Sequence, residues 1–340
     1  MHILKKHINS NLSSLFFSIF MPLFAIASVI FLIKLATYTA VIQLSIWEMT
    51  KLYFFVLPEI LFYTLPITFF IAASLAIFKL SNDNEIIVLF ALGIKPNFII
   101  KSLFKPALFL SILLFFNFFV MFPHVKVLAG NFISYKKSEA KFNLSASEFG
   151  HSFGDWLLYL GKNNGDGTYS DVFLFNKKEE KEEILIAAKK AEILNDSGIL
   201  RLKLTTGQGY SYSQEKFTQI NFKTMLINDT MKTDLTPYRS TIGYWTSNER
   251  VKPKQHMLIT DTLLSLFPMM SLFLVASIGI VNSRHQKSRI YLYLFLSIGL
   301  FYGLTQGLQH ALVFYTIPLV AISWLIGTYM IYKKTILSRF

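Results

Sequence analysis

The chain contains no cysteine among its 340 residues, which excludes disulfides, iron–sulfur clusters and cysteine-ligated zinc. Acidic residues are also few, with 20 Asp plus Glu against 33 Lys plus Arg and a net charge of +13. Residues 123–257 hold 19 basic and 15 acidic residues, so nearly all of the remaining excess lies in short segments between apolar runs. This distribution is typical of membrane topology, and we predict no nucleic-acid partner.

Familiar catalytic motifs are missing as well. The sequence has no HExxH, no GxSxG and no GxxxxGK[ST] phosphate loop. Its seven histidines stand at positions 2, 7, 124, 151, 256, 285 and 310, with no pair at metal-ligand spacing. We therefore predict no catalytic residues, no metal site and no cofactor bound by this chain, so any energy source must come from a partner.

Long apolar segments dominate the sequence, in which 53% of residues are hydrophobic and 34 are Phe. A membrane-crossing helix needs about 20 mainly apolar residues. Ala25-Ile26-Ala27 resembles a signal-cleavage site, but the apolar run continues through Ile33, which favours an uncleaved anchor. We predict a polytopic α-helical membrane protein with six crossings at Leu12 to Ile33, Phe54 to Leu80, Leu103 to Phe122, Thr262 to Val281, Ile290 to Leu308 and Val313 to Ile331.

The orientation of these helices follows from where basic residues lie, because cationic loops stay in the cytoplasm. With both termini inside, the inner ends and loops hold Lys5, Lys6, Lys79, Lys95, Lys101, Lys105, Arg284, Lys287, Arg289, Lys333, Lys334 and Arg339. We predict three parts: residues 1–122 with the first three helices, residues 123–257 outside the inner membrane, and residues 258–340 with the last three helices and a cytoplasmic tail.

The outer part has the pattern of β-structure, because apolar and polar residues alternate in short runs between Gly, Asn and Asp clusters. Ile199 to Leu204 alternates cleanly, and the pattern resumes from Tyr210 to Ile227. About eight short strands in roughly 110 residues predict an antiparallel sandwich or jelly roll inserted between the third and fourth helices. Its interior would be either a core or an apolar ligand channel.

The segment Ser81 to Pro96 is built like a short amphipathic helix on the cytoplasmic side. Ser81 or Asn82 is suited to cap its start, and Asp83 and Glu85 would fall in the first turn, where the helix dipole favours negative charge. Apolar residues up to Phe90 recur at helical spacing, and Gly93 supplies a stop. We predict a docking helix at this position.

These residues resemble the LptF/LptG (YjgP/YjgQ) permeases of the lipopolysaccharide exporter over essentially the whole chain. The most specific signature comprises Pro58-Glu59, Leu65-Pro66, Lys79-Leu80-Ser81, Glu85 and Gly93. Pro58-Glu59 and Lys79-Leu80 resemble LptF more than LptG, whereas Lys34 is similar to the lysine at the outer end of the first LptG helix. Gly130 and Ser134 occupy the region where some LptG members carry basic residues.

The resemblance implies a permease subunit of an ABC transporter in the bacterial inner membrane, which extracts lipopolysaccharide and passes it to a periplasmic bridge. The implied partners are a cytoplasmic ATPase dimer that uses ATP and Mg, a second LptF/LptG-type permease, a jelly-roll bridge protein and a single-helix LptC-like subunit. Lys34 would contact the lipid head group. The docking helix with Asp83, Glu85, Phe90 and Gly93 would couple to the ATPase, and Leu202, Tyr212 and Phe222 would line a lipid path.

Other interpretations remain open. Lys34 could be an anchor that extends to the membrane interface, and Glu85 could be only a partner of the helix dipole. The protein could instead be a membrane sensor or scaffold with a periplasmic ligand-binding β-domain, or a transferase acting on a lipid carrier. The transferase is disfavoured, because Glu59, Asp261, Asp83 and Glu85 are the only acidic residues in or near the predicted helices. Co-purification with an ATPase subunit would separate the exporter from the sensor.

Overall fold

The computed structural model describes residues 2–39, 44–141, 149–153, 156–164, 168–178, 182–196, 199–213, 216–228, 240–247, 251–281 and 289–338. The chain divides into two compact units. The helical unit comprises Met1–Leu35, Met49–Lys126 and Tyr238–Phe340, and the sheet unit comprises Ala36–Glu48 and Val127–Pro237. The helical unit thus extends at both ends into the segment predicted to be the outer domain.

Ten α-helices are found in the described residues. They are α1 (His2–Thr39), α2 (Ile46–Asn82), α3 (Glu85–Ala91), α4 (Asn97–Phe116), α5 (Phe122–Lys141), α6 (Thr241–Thr246), α7 (Val251–Met270), α8 (Leu272–Gly279), α9 (Ile290–Leu312) and α10 (Thr316–Tyr332). A π-helical turn, Asn117–Met121, joins α4 to α5, and a second, Lys333–Leu337, follows α10. Each predicted span coincides with one of these helices or with a consecutive pair, and α1 and α2 extend beyond both predicted ends.

By length and composition, four stretches of the described chain are able to cross a membrane: Ile3–Thr37, Ile46–Asn82, Asn97–Lys136 and Ile290–Leu337. The pair α7 and α8 adds a fifth if it forms one span, although it is bent by 48°. Pro268 lies one turn before this bend, and a proline removes a helical hydrogen bond and clashes with the preceding turn.

The last of these stretches reverses direction. Phe301 and Trp324 are 23 residues apart, yet their ring centroids lie 5.0 Å from each other, whereas a straight helix would separate them by roughly 34 Å. Val313, between the two helices, has a φ of 46°, and the Thr316 hydroxyl donates to the Leu308 carbonyl at 3.1 Å. Helices α9 and α10 therefore pack side by side in opposite directions.

The core of the helical unit lies around α2. Phe62 packs edge-on against Phe118 and Phe122, and the Phe70 ring lies 5.2 Å from that of Phe267. Gly279 of α8 contacts α2 so closely that a Cβ there would lie 2.7 Å from the Ile77 Cβ. Small residues allow such close helix contacts inside membranes.

The sheet unit contains one antiparallel sheet whose described strands pair in chain order. They are β1 (Phe149–Phe153), β2 (Trp156–Asn163), β3 (Thr168–Lys178), β4 (Glu182–Asp196), β5 (Ile199–Ser213) and β6 (Phe217–Asn228). The expectation of about eight short strands is wrong for the described residues. Turn-forming residues such as Gly207 and Gly209 lie inside the long strand β5, where the ladder continues past them. A closed jelly roll of two sheets stays a prediction.

The regular ladder is interrupted at one row of residues across the sheet, and we call this row the crease. It consists of Gly161, Asp171, Lys189, Thr206 and Lys223, each opposite the next, and the regular ladder resumes on either side. Asp171 and Thr206 have φ values of 54° and 55°, in the left-handed region that non-glycine residues rarely adopt.

The crease shifts the alternation of buried residues by one position. In β3 the buried Tyr169 and Val172 are three residues apart, although a regular strand repeats every two. In β5, Leu202 and Leu204 are buried on one side of the crease, and Gly209 is buried on the other. The packed face thus continues on both sides of the crease.

Candidate functional site

The predicted docking segment begins differently from expectation. Helix α2 runs without interruption through Ser81 to Asn82, so the prediction that either residue caps a new helix is wrong. The Ser81 hydroxyl instead donates to the Val281 carbonyl at 2.6 Å and accepts from the Val281 N–H at 2.9 Å. Ser81 is fully buried and joins the end of α2 to the residues that follow α8.

Helix α3 is a separate element of seven residues. Asn84, with a φ of 61°, changes the chain direction just before the helix. Asp83 therefore precedes α3, and the prediction that it lies in the first turn is wrong. At its end Gly93 adopts a φ of 83°. The Gly93 N–H donates to the Phe90 carbonyl at 2.9 Å, and the Ile94 N–H donates to the Leu89 carbonyl at 3.1 Å. This is a Schellman stop, which glycine adopts without strain.

The two faces of α3 differ in burial. Ile86 is buried and Phe90 packs against the core of the helical unit, so these two side chains fix the helix to the membrane-spanning bundle. On the isolated chain, Val88 is 55% exposed and Leu92, the residue directly after α3, is 74% exposed. Exposed large apolar side chains on a surface helix are typical of a protein contact.

Glu85, at the start of α3, contacts the first helix. The His7 Nε2 lies 2.9 Å from a Glu85 carboxylate oxygen, and both side chains are about half exposed. The pair becomes an ion pair when His7 is protonated. Its members are 78 positions apart, so no local sequence signal could have predicted it. An exposed pair of this kind contributes about 0–1 kcal/mol.

Lys34 lies on α1, which continues to Thr39, so this lysine is inside the helix and not at its end. Its side chain is exposed, whereas the neighbouring Leu35 is buried. Lys34 lies on α1 itself, and Glu85 contacts α1 through His7.

A polar cluster that the sequence did not predict lies between α2, α7 and α9. Asp261 is 1% exposed, and its Oδ1 accepts from the Tyr63 hydroxyl at 3.4 Å. Beside it the Thr260 hydroxyl donates to Gln309 at 2.9 Å. The described residues hold no group of three side chains able to bind a metal ion. An ionisable residue within an apolar segment is the signal that could have directed attention here.

The three predicted lipid-path residues do not lie together on one face of the sheet. Leu202 is fully buried in the packed face. Phe222 packs against the same cluster and lies opposite Gly207, where an added Cβ would come within 2.5 Å of its ring. Tyr212 is 60% exposed. It shares even-numbered parity with Leu202, but the crease at Thr206 lies between them and shifts the alternation by one.

Comparison with known proteins supports the resemblance noted from the signature residues. No curated protein matches this chain. The family model described as lipopolysaccharide export system permease LptF/LptG matches residues 6–332 of the 340. That range includes the helical bundle, the sheet and α3. The match therefore spans nearly the whole molecule, and the chain belongs to the LptF/LptG family of lipopolysaccharide export permeases.

Proposed function

We propose that this chain is one of two permease subunits of an ABC exporter that extracts lipopolysaccharide from the inner membrane and passes it to a periplasmic bridge. The observation that carries the proposal is the family match across residues 6–332. The proposed assembly contains a cytoplasmic ATPase dimer, a second LptF/LptG-type permease and an LptC-like subunit. The chain itself binds no cofactor in this scheme, and ATP and Mg belong to the ATPase.

Six crossings with both termini in the cytoplasm fit this role. The reversal at Val313 supports counting α9 and α10 as two spans, and α7 with α8 supports a further one. Contacts at the proposed inner end agree with this arrangement. The Tyr332 hydroxyl, which follows all six proposed crossings, donates to Asn97 at 2.9 Å, and Asn97 lies just before the third crossing. The sheet unit then lies in the periplasm.

Helix α3 is the proposed contact with the ATPase. Ile86 and Phe90 are packed inside, so a force on α3 is transmitted to the membrane-spanning bundle. Val88 and Leu92 remain exposed and offer an apolar surface to a partner. The Schellman stop at Gly93 fixes where this surface ends.

Lys34 is the proposed contact with the lipopolysaccharide head group, because a cation on the first helix suits an anionic sugar phosphate at the outer interface. The packed face of the sheet, with Leu202 and Phe222, is the proposed path for acyl chains after they leave the membrane. Tyr212, on the exposed side, would contact lipid only if the two faces of the sheet are both used.

An affinity pull-down of the full chain in mild detergent, followed by mass spectrometry, tests the proposed assembly. We expect an ATPase and a second permease to co-purify. Leu92→Asn should reduce recovery of the ATPase about tenfold while leaving the second permease in place. An apolar side chain that becomes buried on binding contributes about 1.5–3 kcal/mol.

Ile3→Asn is the matched control, because Ile3 is also an exposed apolar residue near the proposed inner end but lies outside α3. Equal recovery of the ATPase with both variants would remove the docking role of α3. Recovery of neither ATPase nor permease with the unaltered chain would contradict the exporter and favour a sensor or scaffold.

A further inference from the structure

A second site lies at the beginning of α1 and α4. A pocket of about 460 Å³ opens between the two helices. Among the described residues, its lining is entirely cationic or polar and contains no carboxylate: Lys5, Lys6, Asn9, Ser10, Ser13, Lys101, Ser102 and Lys105. Four lysines are thus gathered around one cavity from segments almost a hundred residues apart in sequence.

The pocket is ordered by contacts on its walls. The Lys5 ammonium lies 5.8 Å from the centroid of the Phe98 ring, and the buried Ser102 hydroxyl donates to the Phe98 carbonyl at 2.8 Å. The Asn9 Oδ1 is buried and has no hydrogen-bond partner in the described part of the chain. Like charges held close together repel one another, and an anion placed between them converts this repulsion into attraction.

Exposed apolar residues continue the same helix faces beyond the pocket. On α1, Phe17 follows Ser13 by one turn, and on α4 Leu108 and Ile112 follow Lys105 at spacings of three and seven residues. A basic cavity that borders an exposed apolar surface matches a lipid with an anionic head group and acyl chains. A free anion such as inorganic phosphate would use the basic cavity but not the exposed apolar surface beside it.

We propose that this pocket binds the phosphate head group of an anionic phospholipid of the cytoplasmic leaflet, with its acyl chains along α1 and α4. The leaflet follows from the orientation proposed above, and the site lies at the opposite end of the helices from Lys34. Basic pockets between transmembrane helices on the cytoplasmic side are suited to such lipids. Because both helices line the pocket, the bound lipid would join α1 to the rest of the bundle.

Titration of the detergent-purified full chain with phosphatidylglycerol, followed by native mass spectrometry, tests the site. An ammonium near an anionic lipid contributes about fivefold in affinity, so K101Q/K105Q should lower the affinity about 25-fold. K5Q/K6Q should lower it by a similar factor, since the pocket is shared by the two helices. Phosphatidylcholine, which has no net charge, should bind to the unaltered chain no better than phosphatidylglycerol binds to these variants.

The matched control is K79Q/K334Q, which removes two exposed lysines of the proposed inner end that do not line the pocket. It should change the affinity less than about twofold, because screened charges outside the pocket contribute little. Equal losses with the pocket and control pairs would overturn the site. Displacement of the lipid by millimolar inorganic phosphate would show that the pocket holds a free anion and would overturn the lipid assignment. Unchanged melting temperatures exclude misfolding of any pair.

Discussion

The two longest apolar helices of the chain, α1 and α2, have opposite environments. Both are long and apolar enough to cross a membrane. Only 6% of the most apolar stretch of α1 is buried within the chain, against 67% of that of α2. Composition thus predicts that each helix crosses the membrane, but it does not predict which one forms the core.

Small residues on α2 contribute to the difference. On α2, Ala72, Ala73 and Ala76 are fully buried and let neighbouring helices approach closely. Helix α1 presents large side chains such as Ile26 and Ile30 to its surroundings and packs mainly near its beginning, through Ile8 and Leu12. The apolar middle of α1 is therefore available to lipid or to the proposed second permease, although Ser28 contacts Tyr53 of α2 and Leu35 is buried.

Truncating one aromatic residue on each helix tests most directly whether α2, and not α1, forms the core. Phe70 on α2 is fully buried against Phe267, whereas Phe17 on α1 is 58% exposed. Phe70→Ala should destabilise the chain by about 3–5 kcal/mol, because it leaves a cavity. Phe17→Ala should change stability by less than about 0.5 kcal/mol. Thermal unfolding of both variants in the same detergent measures the difference, and equal losses would contradict the assignment of α2 as the core.

Glycine substitutions test the close packing of α2. Gly279→Ala would place a Cβ 2.7 Å from the Ile77 Cβ and 2.9 Å from the Ser74 carbonyl oxygen, so we expect a loss of about 1–3 kcal/mol. Gly299→Ala on α9 is the control, because in the described part of the chain no atom beyond the adjacent residues and backbone of α9 lies within 4 Å of the added Cβ. The control should be neutral or slightly stabilising. A neutral Gly279→Ala in the same unfolding measurement would show that α8 moves away from α2 at little cost.

Much of this architecture follows from the sequence, because long apolar runs and a glycine at the end of a helical segment are local signals. The predicted spans coincide with the helices, and Gly93 ends α3. Ser81 differs, since its role depends on Val281, 200 residues away. Periodicity also fails at Thr206, where one residue of positive φ reverses which neighbours are buried and leaves Tyr212 exposed.

Lys34 allows α1 and α2 to be compared near their proposed outer ends. Lys51, which is exposed near the start of α2, provides a matched lysine on the buried helix. If α1 receives lipopolysaccharide, Lys34→Gln should lower transport in a reconstituted assay about fivefold, equivalent to about 1 kcal/mol for one interfacial charge. Lys51→Gln should leave transport unchanged.

Two further variants separate charge from length at Lys34. Lys34→Arg should retain most transport and Lys34→Glu should lose more than Lys34→Gln, because the proposed contact is electrostatic. Equal transport by all three at matched expression would identify Lys34 as an interfacial anchor and move lipid entry away from this residue.

The smallest expected effect concerns the contact of Glu85 with His7, which ties α3 to the beginning of α1. If Glu85 acts only through this contact, Glu85→Gln and His7→Gln should each weaken ATPase binding by less than about 1 kcal/mol, and the double variant should be no weaker than either. If Glu85 itself contacts the ATPase, Glu85→Gln should weaken binding more than His7→Gln. Glu85→Lys should weaken it further, because it places a positive charge at the start of α3, where the helix dipole is also positive. Binding of the purified ATPase to each variant measures these differences, and unchanged binding with Glu85→Lys would exclude Glu85 from the coupling surface and leave only the apolar residues of α3.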